Sequence, residues 1–131
     1  MRVQDVNILI VDDVNAIRVQ IKELLKKAGF EKIRVVGNGL EALKALEAEE
    51  FHLILSDWQM TPLDGLELLK FVRNHPTYKA ISFLMVTAEG TREKVLQAVE
   101  CGCDGYLIKP VTVEQIQKQV FAVILKKGVL S

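Results

Sequence analysis

Leu53 to Gly65, read as LILSDWQMTPLDG, is the stretch whose reading decides the fold. It opens on an apolar run (Leu53, Ile54, Leu55), passes the small Ser56 and arrives at the carboxylate of Asp57. A short continuous apolar run bounded by turn residues is the pattern of a strand covered on both faces. In open α/β sheets, ligands are held at the carboxyl ends of such strands. Asp57 alone has two readings, an acid that starts a turn or a group placed for chemistry. The surrounding chain separates them.

Upstream, Asn7 to Val11 (NILIV) is a β-rich run ending on the adjacent acids Asp12 and Asp13. Val14, Ile17, Ile21, Leu24, Leu25 and Ala28 then recur at helical spacing, with Lys26 and Lys27 before the stop at Gly29. Ile33 to Val36 is a second strand. Asn38 is placed to cap the next helix, with Glu41 completing a capping-box-like pair and Leu40, Ala42, Leu43 and Leu46 as its apolar face. Downstream, Leu66, Leu69, Phe71 and Val72 mark a third helix, stopped at His75-Pro76. Ile81 to Val86 is a fourth strand ending at Thr87-Ala88. Thr91 opens a helix bearing Val95, Leu96, Ala98 and Val99 and stopped at Gly102. Tyr106 to Ile108 is a fifth strand ending at Lys109-Pro110. Thr112 and Gln115 form a capping box for a last helix on Val113, Ile116, Val120, Val123 and Ile124, flanked by Phe121 and Leu125, that runs to Gly128. Five strand–helix alternations predict a parallel sheet with right-handed helical crossovers, a three-layer α/β fold over residues 1–131 as one domain.

The ends of parallel strands face one edge, so Asp12, Asp13, Asp57, Thr87 and Lys109 are expected to meet there. Two carboxylates about 5 Å apart repel by roughly 3 kcal/mol at an effective dielectric near 20. One lysine does not balance three acids. Oxygen donors with no His or thiolate beside them favour Mg²⁺, or Mn²⁺, with waters retained for exchange against a phosphoryl oxygen. A carboxylate beside such an ion, a hydroxyl and an ammonium form a phosphoryl-transfer site with Asp57 as nucleophile, and an ionised carboxylate needs no general base.

The composition is consistent with that reading. Half of the 131 residues are hydrophobic and 26% are charged, as in an ordinary folded domain able to bury about two-thirds of its unfolded surface. Lys plus Arg equals Asp plus Glu at 17 each, so no global basic field collects nucleic acid. No apolar run reaches membrane-spanning length and no leader pattern opens the chain, from which a cytoplasmic location is expected. Cys101 and Cys103 are too few for a disulfide framework, and His52 and His75 lie too far off in sequence to complete a metal site with them.

Five short motifs in order carry a resemblance: VDD at Val11 to Asp13, SDW-x-M at Ser56 to Met60, DG at Asp64-Gly65, VTA at Val86 to Ala88 and KP at Lys109-Pro110. Together they resemble the receiver domain of two-component response regulators over nearly the whole chain. Through DGLELLK, LMVTAEG and GYLIKP the chain is similar to the stand-alone chemotaxis branch of that family. The resemblance implies a doubly wound, flavodoxin-like sheet of order 2-1-3-4-5. It implies that Asp57 accepts a phosphoryl group from a histidine kinase, and that Mg²⁺ is bound by Asp12, Asp13, Asp57 and the backbone carbonyl of Gln59. Thr87, Ala88 and Lys109 would hold the phosphoryl oxygens, and Thr87 and Tyr106 would form the switch.

The implied output face is the fourth helix, fifth strand and fifth helix. Trp58, Glu89, Tyr106, Lys109 and Val111 are the expected partner surface, with Trp58 read either as a kinase-binding surface aromatic or as a loop anchor. The expected target is a protein, with the flagellar motor switch as one candidate, bound by a monomer without direct contact to nucleic acid or membrane. A cis peptide is implied at Lys109-Pro110.

The chain departs from the family where Thr61-Pro62 replaces a proline directly after Met60, so a different loop path is expected there. Val111 replaces a common aromatic. Gln59 and Glu89 occupy positions that tune dephosphorylation. A haloacid-dehalogenase-type phosphatase also uses a strand-end Asp and Mg²⁺, but Gln59 stands where its second acid is needed, so any turnover is expected to be slow. A flavodoxin-like cofactor carrier would meet repulsion between its phosphate and Asp12-Asp13. The receiver itself is either a complete switch or a module of a larger regulator.

Overall fold

The computed structural model describes residues 1–128, so the last three residues of the expected domain lie outside the described part. After a single 3-10 turn at Val3–Asp5, strands and helices alternate as β1 (Asn7–Val11), α1 (Asn15–Lys27), β2 (Lys32–Val36), α2 (Gly39–Ala48), β3 (Leu53–Ser56), α3 (Gly65–Asn74), β4 (Ser82–Thr87), α4 (Arg92–Glu100), β5 (Gly105–Ile108) and α5 (Val113–Lys126). The five strands form one parallel sheet in the order β2-β1-β3-β4-β5, as the resemblance implied.

Strand alternation sorts the core into two halves. Leu9, Val11, Ile54, Phe83 and Met85 face α2, α3 and α4, while Ile8, Ile10, Leu53, Leu55, Leu84 and Val86 face α1 and α5. Every residue of β3 and β4 is buried, as a doubly covered sheet requires. The edge strand β2 carries Lys32 and Arg34, charges that discourage pairing with another chain.

Local signals set most helix ends. Asn38, Thr91 and Thr112 accept from the backbone three residues on. Thr112–Gln115 is a full capping box. Asp64–Glu67 is a second, unforeseen one. Glu41 reaches Gly37, one residue upstream of the cap, so that expected pair is displaced rather than closed. Gly29 and Gly102 stop α1 and α4 with φ of 102° and 98°, in the left-handed region glycine tolerates.

Helix faces differ from the periodicity in particular places. On α2, Leu40 is exposed and the buried face is Gly39, Ala42, Ala45 and Leu46. On α3, Leu68 is fully buried while Phe71 is exposed and rests its ring near His75 and Tyr78. On α4 only Ala98 is buried, and Leu96 and Val99 are 47% and 55% exposed. On α5, Leu125 is exposed and Phe121 packs its ring against Phe30. The two cysteines are free and half-buried, and burial pushes the Cys103 thiol up to about 11. No described helix is long and apolar enough to cross a membrane.

At the edge of the sheet away from Asp57, Arg73 on α3 staples two loops. Its guanidinium donates to the carbonyls of Gly102 (2.8 Å) and Ile81 (2.7 Å) and pairs with Asp104 at 2.7 Å, which also accepts from the Phe83 amide.

On the same edge the Asn7 amide donates to His52 Nδ1 at 2.9 Å, a bond that only an imidazole unprotonated at Nδ1 accepts. Burial lowers this pKa, with Lys32 acting the same way and Glu50 against it. The unfolded chain therefore takes up the proton first. The contribution of neutral His52 is complete above about pH 6.5, the unfolded value, and is lost as pH falls below it. Urea midpoints at pH 7.5 and 5.5 should therefore drop more in the wild type than in His52→Gln. Equal drops would contradict the assignment.

Candidate functional site at the carboxyl edge of the sheet

β1, β3, β4 and β5 end at Val11, Ser56, Thr87 and Ile108, which brings Asp12, Asp13, Asp57, Thr87 and Lys109 to one edge. The register couples them directly. The Asp12 amide donates to the Val36 carbonyl and the Asp57 amide to the Val11 carbonyl, so both acids are the first residues past paired strands. Lys109 Nζ donates to Asp12 Oδ2 at 2.6 Å and to Asp57 Oδ2 at 3.1 Å. Asp12 Oδ1 accepts from the Val14 amide and Asp57 Oδ1 from the Trp58 amide. Burial alone would lower the Lys109 pKa, but the hydrogen bonds and charges of Asp12 and Asp57 outweigh it and hold the pKa above the ordinary lysine value.

Asp13 differs from its neighbour. It is exposed, and among the described residues its carboxylate makes no hydrogen bond or ion pair. One oxygen from each of Asp12, Asp13 and Asp57 lies within 4.8 Å of the others. Three carboxylates against one ammonium leave an excess negative charge, and the cluster holds no nitrogen or sulfur ligand. This donor set fits a hard divalent cation such as Mg²⁺. A cleft of about 530 Å³ opens beside Asp13 and is lined by Gln59, Thr61 and Lys94 among others.

Gly65 explains the DG motif physically. Its amide donates to the Trp58 carbonyl, and a Cβ there would lie 2.0 Å from the Asp57 carbonyl oxygen. Only glycine lets α3 start that close to the Asp57 loop. Thr61-Pro62 and Lys109-Pro110 are both cis, the second as implied and the first in the segment where a different path was expected.

The other nominated residues fall into two groups. Thr87 is buried, and its Oγ accepts from the Glu89 amide at 3.2 Å. The Tyr106 hydroxyl donates to the Glu89 carbonyl, and Gln59 Nε2 donates to Glu89 Oε1 at 2.6 Å. Glu89 thus links Gln59 in the loop after β3, Thr87 at the end of β4 and Tyr106 in β5. Burial, with Glu89 adding to it, pushes the Tyr106 phenol up to about 12. Ala88 is exposed just past β4.

Two expected partner contacts need correction. Trp58 is only 4% exposed: it packs into the α2/α3/α4 half of the core, with the Lys94 ammonium 4.7 Å from its ring. Val111 is buried with Ile116 and Val120 against the other half. Neither forms surface. Sequence reasoning also missed Arg18, which donates to the Asp12 carbonyl, and Lys94, which covers Trp58. No motif marks either; a cation one turn beyond the acid pair was the only hint of Arg18.

The chain matches the response regulator receiver domain family over residues 8–121. It is 35% identical over 117 residues to the chemotaxis protein CheY-3 of Vibrio cholerae, covering 89% of this chain and 90% of that one. It is 36% identical over 113 residues to the chemotaxis protein CheY of Pseudomonas aeruginosa, covering 86% and 91%. Among solved structures, the chemotaxis response regulator CheY4 of Vibrio cholerae superposes with a TM-score of 0.83 at 33% identity, covering 90% of this chain and 98% of that one.

Proposed function

This chain belongs to the response regulator receiver domain family, and on that premise we propose that it is a signalling switch set by phosphorylation of Asp57. The observation that carries the reading is the cluster itself: an almost buried Asp57 held by Lys109, within reach of Asp12 and Asp13. Asp57 Oδ attacks the phosphorus of a phosphohistidine on a kinase or of a small phosphodonor. The new P–O bond forms as the bond to the leaving nitrogen or oxygen breaks, and the leaving group keeps that electron pair. Asp12, Asp13 and Asp57, with the Gln59 carbonyl, would hold Mg²⁺ (or Mn²⁺), which when bound neutralises charge on the transferring phosphoryl oxygens. Lys109, Thr87 and the Ala88 backbone stabilise those oxygens from the protein side. Gln59 provides no acid or base for hydrolysis, so the chain acts as a phosphoacceptor with slow self-dephosphorylation rather than as an enzyme.

The hydrogen bonds to Glu89 suggest how the state is transmitted. For the Thr87 hydroxyl to turn to the phosphoryl group, it must release the Glu89 amide, and the Glu89 carbonyl is what holds the Tyr106 hydroxyl. The loop between β4 and α4 and the ring of Tyr106 are therefore expected to move together. Gly90 in that loop lies against Ile108, and Ile108 on β5 and Leu96 and Val99 on α4 are apolar side chains left exposed. That face would bind a downstream protein. The relatives' names support chemotaxis, with the flagellar motor switch as candidate target. A cytoplasmic monomer suits this role.

Hydrogen exchange with and without beryllofluoride and Mg²⁺ tests the switch. Protection is expected to change in residues 87–91 and around Tyr106, with the amides of β1 and β3 unaffected. Identical exchange in both states would contradict it.

A further inference from the structure

We propose that Arg18 is a positioning residue for the divalent-cation site, fixing the peptide that joins Asp12 to Asp13 and so the direction of the Asp13 carboxylate. The inference rests on the metal-assisted reading above. Asp12 is held at each of its polar groups: its amide by Val36, its carboxylate oxygens by Val14 and Lys109, and its carbonyl by Arg18 Nη1 at 2.9 Å. Among the described residues Asp13 has no such partner. What aims its carboxylate is therefore its backbone, and the Arg18 bond is made to the carbonyl of the peptide leading into it. Arg18 Nη2 is itself steadied by Asn15 Oδ1 at 3.2 Å. The guanidinium lies against Gly37, where a Cβ would come within 2.9 Å of Nη1 and 3.1 Å of Glu41 Oε2. Glycine at 37 leaves the room in which the half-buried arginine lies.

Charge and position make opposite predictions, which gives the test its sign. Removing a cation from beside a cluster of acids would, by Coulomb's law alone, tighten Mg²⁺ binding. Removing the bond that orients a ligand's backbone weakens it, and outer-shell partners of metal ligands are commonly worth ten- to a hundredfold in affinity.

Mg²⁺ titrations by calorimetry on the whole chain separate the two. Arg18→Met is expected to raise the Mg²⁺ Kd about tenfold, and Arg18→Lys, which can restore one of the two bonds, to recover part of the loss. Gly37→Ala keeps every charge but crowds the guanidinium, and less closely the Glu41 carboxylate, and is expected to weaken binding severalfold. An unchanged or lower Kd in Arg18→Met overturns the proposal. Should that variant fail to fold, an unchanged Kd in Gly37→Ala does so instead. Failure of the underlying reading looks different: the wild type itself would then bind no Mg²⁺, or Asp13→Asn would bind it as well as the wild type.

Discussion

Lys109→Met is expected to slow phosphoryl transfer from acetyl phosphate by about 10²- to 10³-fold, the loss typical of one preorganised charge-stabilising donor. Mg²⁺ affinity should hold or improve. The two outcomes separate because Lys109 occupies Asp12 Oδ2 and Asp57 Oδ2, on two of the carboxylates that form the candidate cation site. In the absence of metal the ammonium is the cluster's internal counterion. Without it, three acids whose oxygens lie within 4.8 Å face each other uncompensated, and any added divalent cation meets less competition. The phosphoryl group, by contrast, loses the ammonium that, among the described residues, contacts Asp57. Stopped-flow transfer at saturating Mg²⁺, paired with calorimetry, checks both halves. A variant that transfers at the wild-type rate but binds Mg²⁺ weakly would reverse the assigned role.

Asp57→Asn carries the largest effect. The amide is nearly the same shape and can still accept from the Trp58 amide as Oδ1 does now at 2.7 Å. It removes one carboxylate from a site where three repel, so the fold should survive. A neutral amide does not attack phosphorus. Phosphorylation should fall to background, with the urea midpoint close to wild type. Unfolding of the variant would mean that the charge of Asp57 is needed for the fold as well as for the chemistry.

The architecture was legible because β3 and β4 are unbroken apolar runs and because Gly29, Gly102, Asn38, Thr91 and Thr112 are placed where helix ends need them. The site was legible for a related reason. Parallel strands deliver their ends to one edge, so Asp12, Asp57, Thr87 and Lys109 converge by topology alone. What the sequence hid depends on packing between elements. The apolar residues Leu96 and Val99 follow the helical period of α4, yet the helix covers the sheet mainly through Ala98 and leaves them outside.

Trp58 reads either as a kinase-binding surface aromatic or as a loop anchor; it is buried where α3 starts at Gly65, tight against the Asp57 carbonyl. Val111 reads as a contact on the output face, and α5 covers it. Arg18 binds a backbone carbonyl, which no side-chain motif encodes, and Arg73 binds Gly102 and Asp104, both distant in sequence.

Intact-mass spectrometry after incubation with acetyl phosphate tests the central claim most directly. The wild type with Mg²⁺ should gain the mass of one phosphoryl group per chain, the wild type with EDTA none, and Asp57→Asn with Mg²⁺ none. An adduct that persists in Asp57→Asn, or that forms equally without metal, would contradict the account.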